Sequence, residues 1–275
     1  MNKSILITGC STGIGYTCAH ALHKRGFHVI ASCRSPQDVQ RLQEEGLTCI
    51  QLDLANKESI ENGAKQAIEL APNGLYGLFN NGAYGQAGAL EDLPTQGLRE
   101  QFETNVFGWH HLVCQILPHM RERGEGRIVQ NSSVLGFAAM KYRGAYNASK
   151  FAIEGWTDTL RLELHGSGIH ISLLQPGPIE TQFRNNALKA FNKWINMEGS
   201  VHQNAYQQQK DRLEKESSNN AFVLPAESCI EPVYHAFTAD KPKLRYRVTT
   251  PTKVFAVLKR LLPSRLLDPI LRKAA

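Results

Sequence analysis

Several features that define other classes of protein are missing from this sequence. No apolar run approaches the roughly 20 residues that a membrane-spanning helix needs. The six cysteines form no Cys-x-x-Cys pair and no spacing typical of a metal site, so we expect reduced, cytoplasmic thiols. The short apolar run at the N-terminus leads directly into glycines, which favours a first strand over a signal peptide. No internal repeat is evident, and 275 residues with 42% hydrophobic content suit one α/β domain.

Acidic residues are scarce in the C-terminal part of the chain. From residue 241 to the end, ten Lys/Arg accompany one acid, Asp268, which gives a charge of +9. Since the whole chain carries +6, the first 240 residues carry 21 basic and 24 acidic groups, or −3. A mildly acidic body argues against nucleic acid as a partner and directs attention to the basic tail.

The tail, residues 251–275, has the spacing of an amphipathic helix. Lys253, Lys259 and Arg260 fall on one side, and the other side is apolar: Val254, Phe255, Val257, Leu258, Leu261 and Leu262. Such a helix could lie on an anionic membrane surface or against an acidic partner. Alternatively, it packs on its own domain and leaves a solvated basic face.

A glycine-rich turn follows the first predicted strand, residues 4–7. Gly9, Gly13 and Gly15 form the spacing G-x-x-x-G-x-G, a variant of the common dinucleotide-binding pattern G-x-G-x-x-G, and a helix over 16–25 follows. Glycines let the backbone approach a pyrophosphate, and the helix N-terminus supplies N–H donors. The turn therefore predicts a dinucleotide site.

The residue after the second predicted strand, 27–32, bears on the cofactor. An NAD site commonly places a carboxylate there, whereas this chain has Cys33 and then Arg34. A guanidinium can hold the 2′-phosphate of NADP, so Arg34 favours NADP(H), unless it is simply an exposed surface arginine. After a third strand over 48–52, Asp53 is suited to accept a hydrogen bond from an adenine amino group.

An asparagine pair and a single asparagine stand out in the middle of the chain. A strand over 75–79 ends in Asn80-Asn81-Gly82-Ala83, where small residues bring backbone close to a cofactor. Asn105 lies inside a helix predicted over 98–120, where its amide competes with the helical hydrogen bonds. That position predicts a kink or a bound water, unless Asn105 is only an exposed polar residue.

Residues 126–150 carry the strongest chemical pattern. Tyr146 and Lys150 lie one helical turn apart, and Ser133 follows the strand that precedes them. A neighbouring ammonium favours the phenolate, so we expect the Tyr146 pKa to fall from about 10 towards neutral. Alone, the pair could equally be a half-buried tyrosine beside a solvated lysine.

The remaining elements complete an alternating pattern of strands and helices. A strand over 169–174 leads into a rigid Pro176-Gly177-Pro178 loop, and a helix over 226–239 and a strand over 244–248 follow. Between them, residues 182–224 are polar with scattered aromatics, which predicts an inserted helical lid over a pocket. The pattern predicts a single-domain Rossmann-type fold over 1–250, a doubly wound parallel sheet with helices on both faces.

Taken in order, these motifs resemble those of the short-chain dehydrogenase/reductase family, from residue 3 to about 250. The overall pattern is similar to the hydroxysteroid and retinol dehydrogenase branch. One departure is Gly82-Ala83, where the family usually has Ala-Gly. Because both residues are small, we expect a backbone adjustment without loss of cofactor binding.

The resemblance implies a role for each matching residue. Tyr146 would be the general acid or base, Lys150 would depress its pKa and hold the nicotinamide ribose, and Ser133 would bind the reacting oxygen. Asn105 would hold a water that links Lys150 to solvent. Cofactor contacts are implied for Gly9, Ser11, Thr12, Gly13, Ile14, Gly15, Arg34, Asp53, Leu54, Asn80, Gly82, Tyr146, Lys150, Pro176, Gly177, Ile179 and Thr181.

The sequence therefore predicts an NADP(H)-dependent oxidoreductase that needs no metal, acting on a lipophilic ketone, aldehyde or alcohol such as a steroid, a retinoid or a fatty aldehyde. By family likeness it would form a homodimer or homotetramer. Two alternatives stay open: a non-catalytic NADP-binding regulator of the same fold, and a membrane-associated scaffold acting through the tail.

Overall fold

A parallel sheet lies at the centre of the computed structural model, which describes residues 3–214 and 222–273. Within those ranges its strands follow the order β3-β2-β1-β4-β5-β6-β7. The strands are β1 (Ser4–Thr8), β2 (His28–Cys33), β3 (Thr48–Gln51), β4 (Leu75–Asn80), β5 (Gly126–Asn131), β6 (Ile169–Gln175) and β7 (Arg245–Arg247). The order reverses between β1 and β4, so the loops after these two strands diverge and leave a crevice at the carboxyl edge of the sheet.

Helices cover both faces of the sheet. They are α1 (Gly13–Lys24), α2 (Pro36–Glu44), α3 (Lys57–Glu69), α4 (Thr95–Phe102), α5 (Gly108–Arg123), α6 (Gly144–Glu163), α7 (Phe183–Trp194), α8 (Gln203–Glu214), α9 (Ile230–Thr238), α10 (Thr250–Leu261) and α11 (Ser264–Lys273). Side chains alternate along each strand, so Leu6 joins the core under α3 and α5, and Ile5 joins the core under α1 and α9. The predicted doubly wound fold is confirmed.

The helix predicted over 98–120 is interrupted. A π-helical turn, Glu103–Phe107, separates α4 from α5 and contains Asn105. The predicted kink is therefore present as a π-bulge, a feature that often marks functional sites. Helix α1 also begins at Gly13, earlier than predicted, because the glycine-rich turn runs directly into the helix.

The predicted lid and tail both contain helices. Helices α7 and α8 fall within the lid, whose residues 215–221 lie outside the described residues. Phe191 and Tyr206 from these helices pack in a small third core with Ala87 and Ala89 from the loop after β4. The tail forms α10 and α11. None of the helices in the described ranges is both long and apolar enough to cross a bilayer.

Candidate active site

A cleft of about 530 Å³ opens at the carboxyl edge of the sheet, at the point where the strand order reverses. Most of the predicted site residues meet there. The cleft is lined by Gly9, Ser11, Thr12, Gly13, Ile14, Gly82, Ser133, Tyr146, Lys150, Pro176, Gly177, Ile179 and Thr181. The parallel strands explain this convergence, because the loops that follow their carboxyl ends all reach the same edge.

The glycine-rich turn is packed too closely for side chains. Gly9 has a φ of +69°, and a Cβ placed on it would lie 2.5 Å from the Cα of Gly82. A Cβ on Gly13, with a φ of +62°, would lie 2.9 Å from Cγ2 of Thr181. The turn therefore leaves a bare backbone surface in the cleft. Gly82, the glycine of the departing Gly82-Ala83 pair, is the residue that meets Gly9, and a Cβ on Gly82 would lie 2.9 Å from Cδ1 of Leu54.

Asn81 braces this turn, a role that the sequence motif did not assign. Its amide Nδ2 donates to the carbonyls of Thr8 and Gly9 at 2.9 and 3.1 Å. Its Oδ1 accepts from Nδ2 of Asn131 at 2.8 Å, at the end of β5. The neighbouring Asn80 is fully buried behind the cleft, and its side-chain nitrogen and oxygen have no hydrogen-bond partner among the described residues. Of the two asparagines, only Asn81 lines the cleft.

Tyr146 lies in the floor of the cleft, on the first turns of α6. Its side chain is almost completely buried, and the ring of Phe183 packs edge-on against it at 5.2 Å. Burial raises the pKa of Tyr146 to about 12, and a hydrogen bond with the Ser133 hydroxyl offsets part of this rise. The expectation that Lys150 would lower this pKa is wrong for this structure, because the loss of hydration raises it and only the Ser133 hydroxyl acts in the opposite direction.

Lys150 is buried more deeply than the sequence indicated. Its Nζ donates to the carbonyl of Asn131 at 2.6 Å and lies 4.3 Å from the centre of the Trp109 ring. Burial lowers the pKa of Lys150 to about 7, and the Glu154 carboxylate opposes that shift. The ammonium therefore depends on its neighbours to stay charged near neutral pH.

Glu154 follows Lys150 by one further turn of α6 and is also buried. Its Oε1 accepts from the Ser132 hydroxyl at 2.6 Å and from the Gln175 amide at 2.8 Å. Its Oε2 accepts from Nε of Arg245 at 3.2 Å. One carboxylate thus ties together the ends of β5 and β6 and the strand β7 beneath the cleft. The sequence signal for it was its spacing, one turn after Lys150.

Asn105 connects the π-helical turn to the loop after β4. Its Oδ1 accepts from the backbone nitrogen of Tyr84 at 3.2 Å, and its Nδ2 donates to the Tyr84 carbonyl at 2.9 Å and to Oγ of Ser149 at 3.3 Å. Asn105 is fully buried, so it is not an exposed polar residue. The water that would link it to Lys150 stays a prediction.

The other predicted cofactor residues lie outside the cleft lining. Arg34 is exposed at the end of β2, and its carbonyl accepts from the Gln51 amide at 3.1 Å. Asp53 is half-buried, and its carboxylate accepts from the backbone nitrogen of Ala55 at 3.0 Å. Leu54 is buried, and Gly15 packs directly against the carbonyl of Gly9. Arg34 and Asp53 mark one edge of the sheet, which we call the β2–β3 end.

The structure adds cleft residues that the sequence analysis did not single out. They come from the loops after β4, β5 and β6 and from α7, and include Asn81, Asn131, Leu135, Met140, Arg143 and Phe183. Their position directly after predicted strands was the available signal, because loops at the carboxyl edge of a parallel sheet form ligand sites.

Comparisons with known proteins agree with this geometry. The family model described as short chain dehydrogenase matches residues 3–191. Over 273 residues the chain is 45% identical to the "Uncharacterized oxidoreductase YbbO" of Escherichia coli K12, covering 99% of this chain and 95% of that protein. It is 30% identical to the human "Dehydrogenase/reductase SDR family member 9", covering 99% of this chain and 88% of that protein.

A solved structure shows the same fold with a bound cofactor. It is a short chain dehydrogenase/reductase from Burkholderia phymatum in complex with NAD, 25% identical, with a TM-score of 0.78 and coverage of 94% of this chain and 92% of that one. The chain therefore belongs to the short-chain dehydrogenase/reductase family, and it is an oxidoreductase of that type with a nicotinamide cofactor.

Proposed function

We propose that this protein is an NADP(H)-dependent oxidoreductase that reduces a lipophilic ketone or aldehyde, or oxidises the corresponding alcohol. The observation that carries the proposal is the meeting of the Tyr146 phenol, the Ser133 hydroxyl and the Lys150 ammonium in one cleft with the glycine-rich turn. The bare backbone at Gly9 and Gly13 fits the pyrophosphate of a dinucleotide, since any Cβ there would collide with neighbouring residues.

The chemistry divides between the cofactor and the side chains. When bound, the nicotinamide supplies or accepts the hydride. With a pKa of about 12, Tyr146 is protonated at neutral pH. It can donate its proton to a carbonyl oxygen as the new C–H bond forms at the carbonyl carbon. Ser133 holds that oxygen, and Lys150 supplies positive charge beside the developing phenolate. A protonated tyrosine favours the reductive direction.

The substrate end of the cleft supports a lipophilic carbonyl compound. Its apolar lining comes from the loop after β5 and from the lid: Val134, Leu135, Met140, Phe183, Ala187 and Val223. We assign the described parts of the predicted lid, residues 182–214 and 222–224, to the cover of this end, within a catalytic domain over 1–250 that acts in the cytoplasm. Water exclusion by apolar walls strengthens the hydrogen bonds that Tyr146 and Ser133 make to the substrate oxygen.

The test is turnover by the purified protein with NADPH and a matched set of carbonyl compounds. We expect oxidation of NADPH with long-chain aldehydes or steroid ketones, and much slower turnover with sugars or amino-acid derivatives. Turnover of the small polar compounds alone would contradict the substrate class. If the protein were a non-catalytic regulator, no carbonyl compound would be reduced, and a Tyr146→Phe variant would keep the biological effect of the wild type.

We also propose a homodimer or homotetramer formed through α5 and α6. The π-helical turn before α5 exposes Phe107 by 52%, and α6 exposes Phe151 by 41%, so both aromatic side chains are open to a second copy of the chain. Ile153 and Leu160 on α6, and Leu164 directly after it, are buried in the chain's own core. Light scattering should show a smaller assembly for Phe107→Glu/Phe151→Glu than for wild type; an unchanged mass would exclude this interface.

A further inference from the structure

The tail helix α10 packs on the domain with small side chains and leaves large ones in solvent. Thr252 and Ala256 are its buried residues. The Thr252 hydroxyl lies so close to Gly177 that a Cβ on that glycine would be 2.8 Å from it. The helix is thereby fixed to the loop after β6, which lines the cleft.

The solvent-facing side of the two tail helices is apolar. On α10, Val254 is 48%, Val257 53% and Leu261 72% exposed; on α11, Leu266 is 59% and Ile270 38% exposed. These spacings place the side chains on one face of each helix. We call these five residues the tail surface. The tail therefore packs on its own domain and keeps its basic side chains in solvent, as the alternative expects, but it also leaves these five apolar side chains exposed.

Positive charge lies on the same two helices as the tail surface, and Lys253 and Arg260 flank Val257 at one helical turn. The exposed cations on the two helices are Lys253, Lys259, Arg260, Arg265, Arg272 and Lys273. Within the described part of the chain, no ion pair joins any of them to a carboxylate. The only acid of the tail is Asp268, whereas the body carries −3. An apolar stripe edged by unpaired cations is suited to an interface that is both apolar and anionic.

We infer that the tail surface binds an anionic lipid bilayer, with its apolar side chains at the level of the headgroups and its cations on the lipid phosphates. A second copy of the chain fits less well, because two tails in contact would bring like charges together. Insertion of five apolar side chains and the attraction of six cations act in the same direction, and neither alone gives stable adsorption.

Helix α11, which carries part of the tail surface, also contributes other side chains to a cavity near the active-site cleft. A second cavity is lined by Asp268, Leu271 and Arg272 of α11 together with Leu90 and Met140, and Met140 also lines the cleft. If the proposed lipophilic substrate is correct, docking through α10 and α11 would bring the Met140 side of the cleft near the membrane in which that substrate dissolves. Only this consequence rests on the proposed function; the docking itself does not.

The experiment is co-sedimentation of the full chain, without cofactor or substrate, with vesicles of phosphatidylcholine alone or mixed with phosphatidylglycerol. We expect binding to the mixed vesicles and little to phosphatidylcholine. The variant Lys259→Gln/Arg260→Gln should bind the mixed vesicles about fivefold more weakly for each charge removed. The variant Val257→Ser/Leu261→Ser should bind about tenfold more weakly or worse, because less apolar surface is inserted.

Matched controls separate docking from general effects. Leu162 is 68% exposed on α6, and Lys24 and Arg121 are exposed at helix ends near the amino edge of the sheet. The variants Leu162→Ser and Lys24→Gln/Arg121→Gln should therefore bind the mixed vesicles as wild type does. Circular dichroism must show that every variant is folded.

Four results would overturn the inference. They are no binding of wild type to the mixed vesicles, equal binding to both vesicles, unchanged binding of both tail variants, and binding to immobilised polyglutamate but not to vesicles. The last would identify an acidic protein as the partner. Tail-dependent dimerisation without vesicle binding would likewise assign the surface to a second copy. Because no activity is measured, failure of the proposed enzyme function would not change these results.

Discussion

The catalytic end and the β2–β3 end of the site are built in opposite ways. Tyr146, Lys150 and Glu154 are at most 8% exposed, and the polar groups of Lys150 and Glu154 are held by hydrogen bonds with residues of β5, β6 and β7. At the β2–β3 end, Arg34 is exposed. Among the described residues, its hydrogen bond is made by its backbone carbonyl and not by its side chain. Reaction chemistry would therefore depend on burial and a network, whereas the choice of cofactor would depend on one solvated charge.

The largest effect is expected from Tyr146→Phe, which removes the proposed proton donor from the catalytic end. The turnover number should fall by about 10²–10⁴-fold, with little change in NADPH affinity. Steady-state kinetics measure the turnover number, and fluorescence titration measures the NADPH affinity. Tyr84→Phe is the matched control: burial raises its pKa to about 12 as well, but Tyr84 does not line the cleft. Equal losses in both variants would show that Tyr146 has only a packing role.

Gly9→Ala tests the contact between the loops after β1 and β4, which lies between the catalytic end and the β2–β3 end. The new methyl group would meet the Cα of Gly82 at 2.5 Å, so we expect a loss of about 2–4 kcal/mol in unfolding free energy. Gly26→Ala has a similar φ, +88°, with nothing within 4 Å of the new Cβ, and should lose only about 1–2 kcal/mol. Thermal melts compare them. Equal losses would mean that the backbone conformation alone requires glycine at position 9.

Arg34→Ala tests the β2–β3 end. We expect NADPH affinity to fall about tenfold and NADH affinity to stay unchanged, since an exposed guanidinium–phosphate pair contributes only about 1–2 kcal/mol. Binding titrations with both cofactors measure the difference. A wild-type protein that prefers NADH would show that Arg34 is only a surface arginine.

The smallest effect is a shift in pH dependence for Glu154→Gln. The Glu154 carboxylate raises the pKa of Lys150 against the effect of burial, which lowers it to about 7. Without that charge the Lys150 pKa falls further, so the loss of kcat/KM with rising pH should begin at lower pH. Asp158→Asn is the control. Asp158 lies on the same helix as Glu154 and also pairs with Arg245, but its side chain is 40% exposed. An equal shift in both variants would assign the effect to Arg245.

The residues of the catalytic end and of the β2–β3 end could be predicted from the sequence to different extents. The glycine-rich turn, the Tyr146–Lys150 spacing and the strand-to-helix order are local patterns, and each was found in the predicted place. Asn81, Asn131 and Glu154 were not given roles, because the partners of their side chains lie 21 to 91 residues away in the chain. The direction of the Tyr146 pKa was also predicted wrongly, since spacing along a helix does not reveal burial.

The sequence by itself determined the order of elements, the bare glycine backbone and the amphipathic character of the tail, because chain sterics and residue periodicity act over a few neighbouring positions. Only the tertiary structure decided which groups lose water and which stay in contact with it. It buried Lys150 and Glu154 together, raised the Tyr146 pKa, and left the apolar side of α10 in solvent. Desolvation depends on residues that folding brings from distant parts of the chain, so no local pattern encodes it.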